Sequence, residues 1–152
     1  AVALAISQAL ASRGLSADFG AVVSAASPDD ARATLQGDLL SFLPFPGLHP
    51  QLGLGPESYE PRQVSVESGN LGLFDDPSVP ILLVGTSYSA DARFGFEAAL
   101  KETLAGDLVN YAQAGGGPLE PVQAMLAADG PSEWQPDLVI WEIPERYWDP
   151  GR

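Results

Sequence analysis

The sequence has 152 residues, enough for one domain that buries about two-thirds of the surface of its unfolded chain. Twenty acidic and seven basic residues give a formal net charge of −13 without any Lys/Arg cluster, which argues against nucleic acids and anionic membranes as partners. The absence of cysteine excludes disulfides and thiolate metal sites, and no apolar run reaches the roughly eighteen residues that a membrane-spanning helix needs.

The N-terminal part of the chain predicts several short elements. Residues 1–13 predict a helix, residues 21–23 a short strand, and Pro28 begins a short helical run. Asp38 is placed as an N-cap for the apolar residues 39–43. Because no N-cap and no initiating Met precede the first helix, we expect the chain to be a fragment.

Residues 44–61 predict a long surface loop. Eight of these eighteen residues are Gly or Pro, too many for a regular element, and loops of this length are usually functional or disordered. The loop contains His49, the single histidine, which should be extended because Pro50 follows it. We interpret His49 as a solvated loop residue rather than a catalytic base, since no orienting partner is visible. Apolar and polar residues alternate over residues 62–67, which predicts an edge strand.

The segment 79–84 is almost entirely apolar and predicts a strand buried on both faces of a parallel sheet. It ends in the turn Gly85-Thr86-Ser87, and a helix is predicted over residues 92–104. A serine on such a turn holds its hydroxyl at the carboxyl end of the sheet, beside the N–H groups of a helix. Ser87 therefore lies where a serine nucleophile would be held, although Gly, Thr and Ser are also ordinary turn and capping residues.

Two more strands are predicted, over residues 108–112 and 137–143. Between them, Pro118 begins a helix whose inward side chains include Met125 and Leu126. Strands that alternate with helices across short connections predict an α/β fold, with a parallel sheet flanked by helices and right-handed crossovers.

Three segments are expected to meet at one edge of this sheet, because the segments that follow parallel strands emerge at the same side. They are the Ser87 turn, the glycine loop 115–117 and the segment 144–148. Together they would bring a hydroxyl, backbone N–H groups and the side chains of Arg146 and Tyr147 into one crevice. These groups supply the nucleophile, the oxyanion donors and the cationic clamp of an acyl-transfer site.

The motifs VGTSYSA, NYAQAGGG and PDLVIWEIPERY, at these spacings, resemble the SGNH-hydrolase-like domain of the alginate O-acetyltransferase family. These are periplasmic proteins that acetylate alginate and similar exopolysaccharides. The resemblance covers residues 37–148. It implies a three-layer, flavodoxin-like fold, N-terminally truncated, that forms a single domain over residues 1–152 with a periplasmic location. We expect neither a cofactor nor a metal.

The resemblance also implies roles for individual residues. Ser87 would be the nucleophile, and the N–H groups of Ser87 and Gly115 would hold the oxyanion. Arg146, Tyr147 and Trp148 would bind the acceptor. Arg146 stands where ordinary SGNH esterases have an asparagine in the third sequence block, a departure that is normal for the acetyltransferase branch.

Two of the candidate residues also have structural interpretations. Arg146 could instead pair with Glu142 or Glu145 at the surface, and these two interpretations stay open. Trp141 lies inside the last predicted strand, so we expect it in the core and assign sugar stacking to Trp148.

The function predicted from the resemblance is O-acetylation of an exopolysaccharide such as alginate through an acetyl-serine intermediate. The partners would be the polysaccharide acceptor and a membrane-bound acetyltransferase that delivers the acetyl group. A carbohydrate esterase of the SGNH type and a non-catalytic polysaccharide-binding module are the alternatives. The net charge of −13 argues against the polyanion alginate as acceptor unless the cleft is locally basic.

The 152-residue chain by itself is expected to be inactive or nearly so. The family activates its serine through an Asp-x-His motif, this sequence contains none, and a serine without a base is a poor nucleophile at neutral pH. Mass spectrometry after incubation with an acetyl donor should detect little acetyl-Ser87. Acetylation at the rate of the full-length protein would contradict this expectation.

Overall fold

The computed structural model describes residues 1–26, 32–37, 40, 42–67, 79–128 and 135–148. They form two compact units, one of residues 1–25 and 64–152 and one of residues 26–63, and each is described by itself. The single domain over 1–152 stays a prediction. Within the described residues, no helix combines the length and the apolar character needed to cross a membrane.

The helices are α1 (Val2–Ser12), α2 (Ser87–Ala90), α3 (Phe96–Leu104) and α4 (Glu120–Ala127). The strands are β1 (Val22–Ala26), β2 (Ala33–Leu35), β3 (Glu57–Tyr59), β4 (Gln63–Glu67), β5 (Ile81–Val84), β6 (Leu108–Asn110) and β7 (Leu138–Trp141). The predicted starts at Pro28 and Asp38 lie outside the described residues. β1 pairs with β4, and β2 pairs with β3.

The first unit is organised around β5, which lies between β6 and β7 in the order β6-β5-β7. Both neighbours run parallel to it, and Ile81 pairs with Leu108 on one side and Leu138 on the other. All four residues of β5 are buried, so both of its faces are covered. The predictions of a parallel sheet and of a doubly buried central strand are confirmed.

Helices cover the two faces of β5. The alternation of side chains along a strand sends Ile81 and Leu83 to one face and Leu82 and Val84 to the other. The first face packs against α1 and α3, and the second packs against α4. The buried partners are Ala3, Leu100 and Leu104 on the first face and Met125 on the second. The result is a three-layer α/β arrangement.

The helix predicted over 92–104 is divided into shorter pieces. After α2, residues Ala92–Phe94 form a single 3-10 turn, and α3 begins only at Phe96. The interruption is at Gly95, whose φ of 63° lies in the left-handed region that favours glycine. Asp91 caps the 3-10 turn, not α3, and hydrogen bonds from Arg93 lower the pKa of its carboxyl group.

An ion pair on the outer side of α3 joins Glu97 and Lys101. Lys101 Nζ lies 3.0 Å from Glu97 Oε1, one helical turn away, and 3.1 Å from Asp107 Oδ1. Partial burial by itself would lower the pKa of Lys101. The hydrogen bonds to Glu97 and Asp107 outweigh burial and raise that pKa above its ordinary value.

Two side chains predicted to be buried are exposed. Trp141 of β7 is 45% exposed, so its assignment to the core was wrong. It pairs with Val84 and lies on the same face of the sheet, but the cluster that α4 covers extends over β6 and leaves the β7 side open. Leu126 of α4 is 69% exposed, because neighbouring Met125 takes the inward position.

The second unit contains an antiparallel pair in which Leu35 of β2 lies opposite Glu57 of β3. The prediction that 44–61 lacks regular elements was therefore wrong for residues 57–59. These three residues contain neither Gly nor Pro, which leaves every backbone N–H available for a strand. The Gly/Pro-rich remainder contains two 3-10 turns, Pro46–Leu48 and Pro50–Leu52.

His49 is 6% exposed, so its interpretation as a solvated loop residue was wrong. It joins the two 3-10 turns with helical angles of φ −55° and ψ −46°, not with the extended backbone expected before Pro50. Its carbonyl oxygen accepts hydrogen bonds from the N–H groups of Leu52 and Leu54. The side chain is thus buried although His49 belongs to no strand or α-helix.

Leu104→Ala should lower the free energy of unfolding by about 2–5 kcal/mol, because it opens a cavity beneath a fully buried helix position. Leu126→Ala is the matched control and should change it by less than about 0.5 kcal/mol, since this leucine is mostly exposed. Urea denaturation followed by circular dichroism measures both. Equal losses in the two variants would contradict the packing described for α3 and α4.

Candidate active site

Ser87 is the first residue of α2 and follows the buried strand β5 after only Gly85 and Thr86. Its side chain is partly buried, and Thr86 before it is extended. The Thr86 carbonyl oxygen accepts hydrogen bonds from the N–H groups of Ser89 and Ala90. The N–H group of Ser87 belongs to the first turn, where a helix offers no intrahelical acceptor. This is the predicted location, and the nucleophilic role stays a prediction.

The carboxylate of Glu142 holds the turn that carries Ser87. It accepts hydrogen bonds from the Thr86 N–H at 2.7 Å, from the Thr86 hydroxyl at 2.9 Å and from the Ser89 hydroxyl at 3.2 Å. From the sequence, Glu142 was expected only as a surface partner of Arg146, and this role was missed. The available signal was an acidic residue placed directly after the apolar run of β7.

Gly85 permits this approach. A Cβ atom at position 85 would lie 2.7 Å from Glu142 Oε2 and 2.8 Å from Ser89 Oγ, closer than real contacts allow. The backbone on both sides of Gly85 continues the pairing of the sheet, with Gln113 N–H donating to its carbonyl oxygen at 3.0 Å. The Glu142 side chain therefore packs directly against Gly85, whose backbone is held by hydrogen bonding to the neighbouring segment.

Asn110 connects the second motif to the same turn. Its side-chain amide donates to the Ser89 carbonyl oxygen at 2.9 Å and to Glu97 Oε2 at 3.1 Å. Its Oδ1 atom accepts a hydrogen bond from the Ala112 N–H at 2.9 Å, at the beginning of the loop that contains the glycines. Gly115 in that loop is exposed and has a φ of 94°, with nothing within 4 Å of an added Cβ. Its role as oxyanion donor stays a prediction.

Arg146 lies between two tyrosine rings. Its guanidinium carbon is 4.9 Å from the ring centroid of Tyr147 and 5.6 Å from that of Tyr88, distances typical of cation–π contacts. Hydrogen bonds with Tyr147 and then Tyr88 raise the pKa of Arg146 above its ordinary value. Because Tyr88 directly follows Ser87, these contacts bring the cation beside the serine turn. Glu142, one of its two alternative partners, instead accepts hydrogen bonds from Thr86 and Ser89.

A cavity of about 440 Å³ adjoins Tyr147 on the side of the glycine loop. Its lining includes Gly117, Trp141, Tyr147 and Trp148, and Gly117 lies against the Tyr147 ring. The Trp141 indole N–H donates to the Pro118 carbonyl oxygen at 3.1 Å, which fixes this ring beside the loop. The structure thus places the predicted residues Tyr147 and Trp148 together in one partly apolar cleft.

Neither His49 nor a metal-binding group is part of this site in the described residues. His49 belongs to the second unit and is not assigned to this site. No group of three or more His, Asp or Glu side chains suited to a metal ion occurs in the part of the chain that the structure describes. The chemistry that these residues offer is that of a hydroxyl beside backbone N–H groups, a carboxylate and an exposed cation.

Comparison with known proteins identifies similar chains. Probable alginate O-acetylase AlgJ of Pseudomonas aeruginosa is 45% identical over 124 residues, with 75% of this chain and 32% of the relative covered. Probable alginate O-acetylase AlgJ of Azotobacter vinelandii is 45% identical over 117 residues, covering 74% and 30%. The chain thus spans about a third of the length of these curated relatives.

Two solved structures share the fold. The O-acetyltransferase domain of Pseudomonas putida AlgJ matches with a TM-score of 0.70 and 34% identity, over 95% of this chain and 48% of that one. Pseudomonas aeruginosa AlgX matches with a TM-score of 0.68 and 20% identity, over 93% and 33%. The predicted SGNH-hydrolase-like α/β fold is confirmed.

The model of the family described as SGNH hydrolase-like domain, acetyltransferase AlgX, matches residues 1–145. This match covers nearly the whole chain and confirms the resemblance seen in the three motifs. The chain belongs to the family of SGNH hydrolase-like domains of the acetyltransferase AlgX.

Proposed function

We propose that this chain carries the serine nucleophile of an O-acetyltransferase that modifies hydroxyl groups of an exopolysaccharide such as alginate. One observation carries the proposal: Ser87 begins a helix at the end of the doubly buried strand β5, on a turn held by Glu142. The family and the names of the AlgJ relatives support acetyl transfer as the reaction. Polysaccharide as the substrate class comes from the same relatives.

In the proposed first step, the Ser87 hydroxyl oxygen attacks the carbonyl carbon of a donor acetyl group. The new bond forms at this carbon, the carbonyl oxygen becomes an oxyanion, and the backbone N–H groups of Ser87 and Gly115 stabilise its charge. When the oxyanion collapses, the bond to the donor breaks, and the donor leaves with a proton. The product is an acetyl-Ser87 ester.

In the second step, a sugar hydroxyl attacks this ester, loses its proton and takes the acetyl group, which regenerates Ser87. Both steps need a base, because a serine hydroxyl reacts slowly while protonated. The resemblance supplies the type of base, an imidazole oriented by a carboxylate. Since this sequence contains no Asp-x-His motif, we assign that pair to another part of the whole protein.

Arg146, Tyr147 and Trp148 form the proposed acceptor site. A guanidinium can bind a sugar carboxylate or hydroxyl, and exposed aromatic rings can stack on sugar rings. Tyr147 and Trp148 are 47% and 69% exposed, so both rings are accessible beside the cavity. Arg93 is paired with Asp91, which makes Arg146 the better candidate for the local positive charge that a uronate acceptor would need.

The proposal includes a location and a donor. The family resemblance supports a periplasmic location and an acetyl group delivered by a membrane-bound acetyltransferase partner. An esterase would share the first step and differ only in the attack of water on acetyl-Ser87. The match to the acetyltransferase AlgX family model supports transfer over hydrolysis.

Ser87→Ala in the whole protein should abolish acetylation of an oligosaccharide acceptor, because the proposed ester forms on the Ser87 hydroxyl oxygen. Ser12→Ala, which changes an exposed serine of α1, should leave activity unchanged and serves as the control. Mass spectrometry of the acceptor and of the protein measures both transfer and acetyl-Ser87. If the wild-type protein bound the acceptor but acetylated nothing, a binding module would be supported instead. If it hydrolysed the donor without transferring the acetyl group, an esterase would be supported.

Trp148→Ala should raise the KM for an oligosaccharide acceptor about fivefold and leave kcat nearly unchanged, because stacking contributes about 1 kcal/mol of binding. Phe42→Ala is the control, because Phe42 is an exposed aromatic residue of the second unit. Initial rates at varied acceptor concentration measure the effect. A fall in kcat with constant KM would contradict the acceptor role.

A further inference from the structure

We propose that Glu142 is the positioning residue of the nucleophile, fixing the turn from which Ser87 presents its hydroxyl. The inference rests on the proposed function, because the orientation of this turn affects a rate only if Ser87 reacts. Nothing in the sequence motifs assigns Glu142 this role. The geometry around its carboxylate does.

The first step of the argument is the arrangement of the donors. Three hydrogen-bond donors reach Glu142, and all belong to Thr86 and Ser89, the residues on either side of the Ser87-Tyr88 pair. A carboxylate accepts and cannot donate, so both hydroxyl groups must turn their protons toward it. Glu142 thereby determines the orientation of the N-cap and of the first turn of α2 at once.

The second step concerns burial. Thr86 and Ser89 are each 3% exposed, so water has little access to replace a lost acceptor. Hydrogen bonds to a charged carboxylate are about twice as strong as neutral ones, and a buried donor left without an acceptor is costly. Loss of the carboxylate would therefore make the turn rearrange.

The third step concerns the anchoring of Glu142 itself. Its N–H group donates to the Val84 carbonyl oxygen at 2.8 Å and extends the pairing of β7 with β5 beyond Trp141. The side chain then crosses Gly85, where a Cβ atom would collide with it. Backbone pairing and close approach hold the carboxylate in one place, so it can act as a reference point for the turn.

The fourth step concerns the Thr86 hydroxyl group, which donates its hydrogen bond to Glu142. Threonine at an N-cap position ordinarily bonds to an N–H group of the first helical turn. Thr86 makes no such bond, and its hydroxyl group is turned toward Glu142 instead. Without Glu142 the Thr86 side chain would be free to turn and cap α2, and this rotation would shift the backbone that carries Ser87.

The test compares Glu142→Ala, Glu142→Gln and Ser87→Ala in the whole protein. The probe is acetyl transfer from p-nitrophenyl acetate to an oligosaccharide acceptor, with kcat, KM and the melting temperature measured for each. Glu142→Ala should lower kcat about 100-fold with KM within about twofold, the cost of a displacement near 1 Å. Glu142→Gln keeps one acceptor oxygen for the Thr86 N–H and should recover kcat to within about tenfold of wild type.

Glu67→Ala, an exposed carboxylate of β4, is the matched control and should behave as wild type. Inactive Ser87→Ala together with fully active Glu142→Ala would overturn the inference and leave the proposed function standing. Active Ser87→Ala would overturn both. Equal losses in the Ala and Gln variants would show that the charge matters and not the position, which also overturns the inference.

If Glu142→Ala fails to fold, Thr86→Val tests the inference instead. This substitution removes the hydroxyl donor to Glu142 and nearly preserves the volume of the side chain. We expect kcat to fall about tenfold with KM unchanged. An unchanged kcat in a folded Thr86→Val protein would overturn the inference.

Discussion

The burial of β5 on both faces is the constraint on which the rest of the first unit depends. Four consecutive apolar residues without contact to water require a strand on each side and a helical layer above and below. These neighbours are β6, β7, α1, α3 and α4. A parallel sheet built in this way sends the segments after its strands to one edge, and the residues discussed for chemistry lie in those segments.

Local hydrogen bonds then turn this edge into a defined site. Asn110, the last residue of β6, donates a hydrogen bond to the backbone of α2. Glu142, directly after β7, accepts hydrogen bonds from the turn that precedes α2. The short helix that begins with Ser87 is therefore held from both neighbouring strands. Arg146 adds a third connection through the ring of Tyr88. In this arrangement the position of the serine depends on the sheet rather than on its own four-residue helix.

The sequence predicted the features that depend on local patterns. The apolar run of β5, the Ser87 turn and the succession of parallel strands follow from periodicity and from turn residues close together in the chain. The motifs were specific enough to indicate the family. The Glu142 network was missed because Thr86 and Ser89 lie 56 and 53 positions before Glu142 in the sequence, separations that no local pattern records.

Burial was the property that the sequence predicted least well. Trp141 follows the apolar pattern of a core strand but is exposed, because coverage by α4 ends before it reaches β7. His49 lies in a Gly/Pro-rich segment typical of a solvated loop, and yet it is buried where two 3-10 turns meet. In both cases the exposure of a side chain depends on the course of neighbouring segments, which lies beyond the residue's own context.

The contact between Gly85 and Glu142 has a consequence for the evolution of this site. Since the carboxylate occupies the space that any larger residue at position 85 would need, the two positions cannot vary independently. A sequence that acquires a side chain at 85 must shorten or withdraw the one at 142 in the same lineage. The contact therefore couples substitutions at two positions that are 57 residues apart in the sequence.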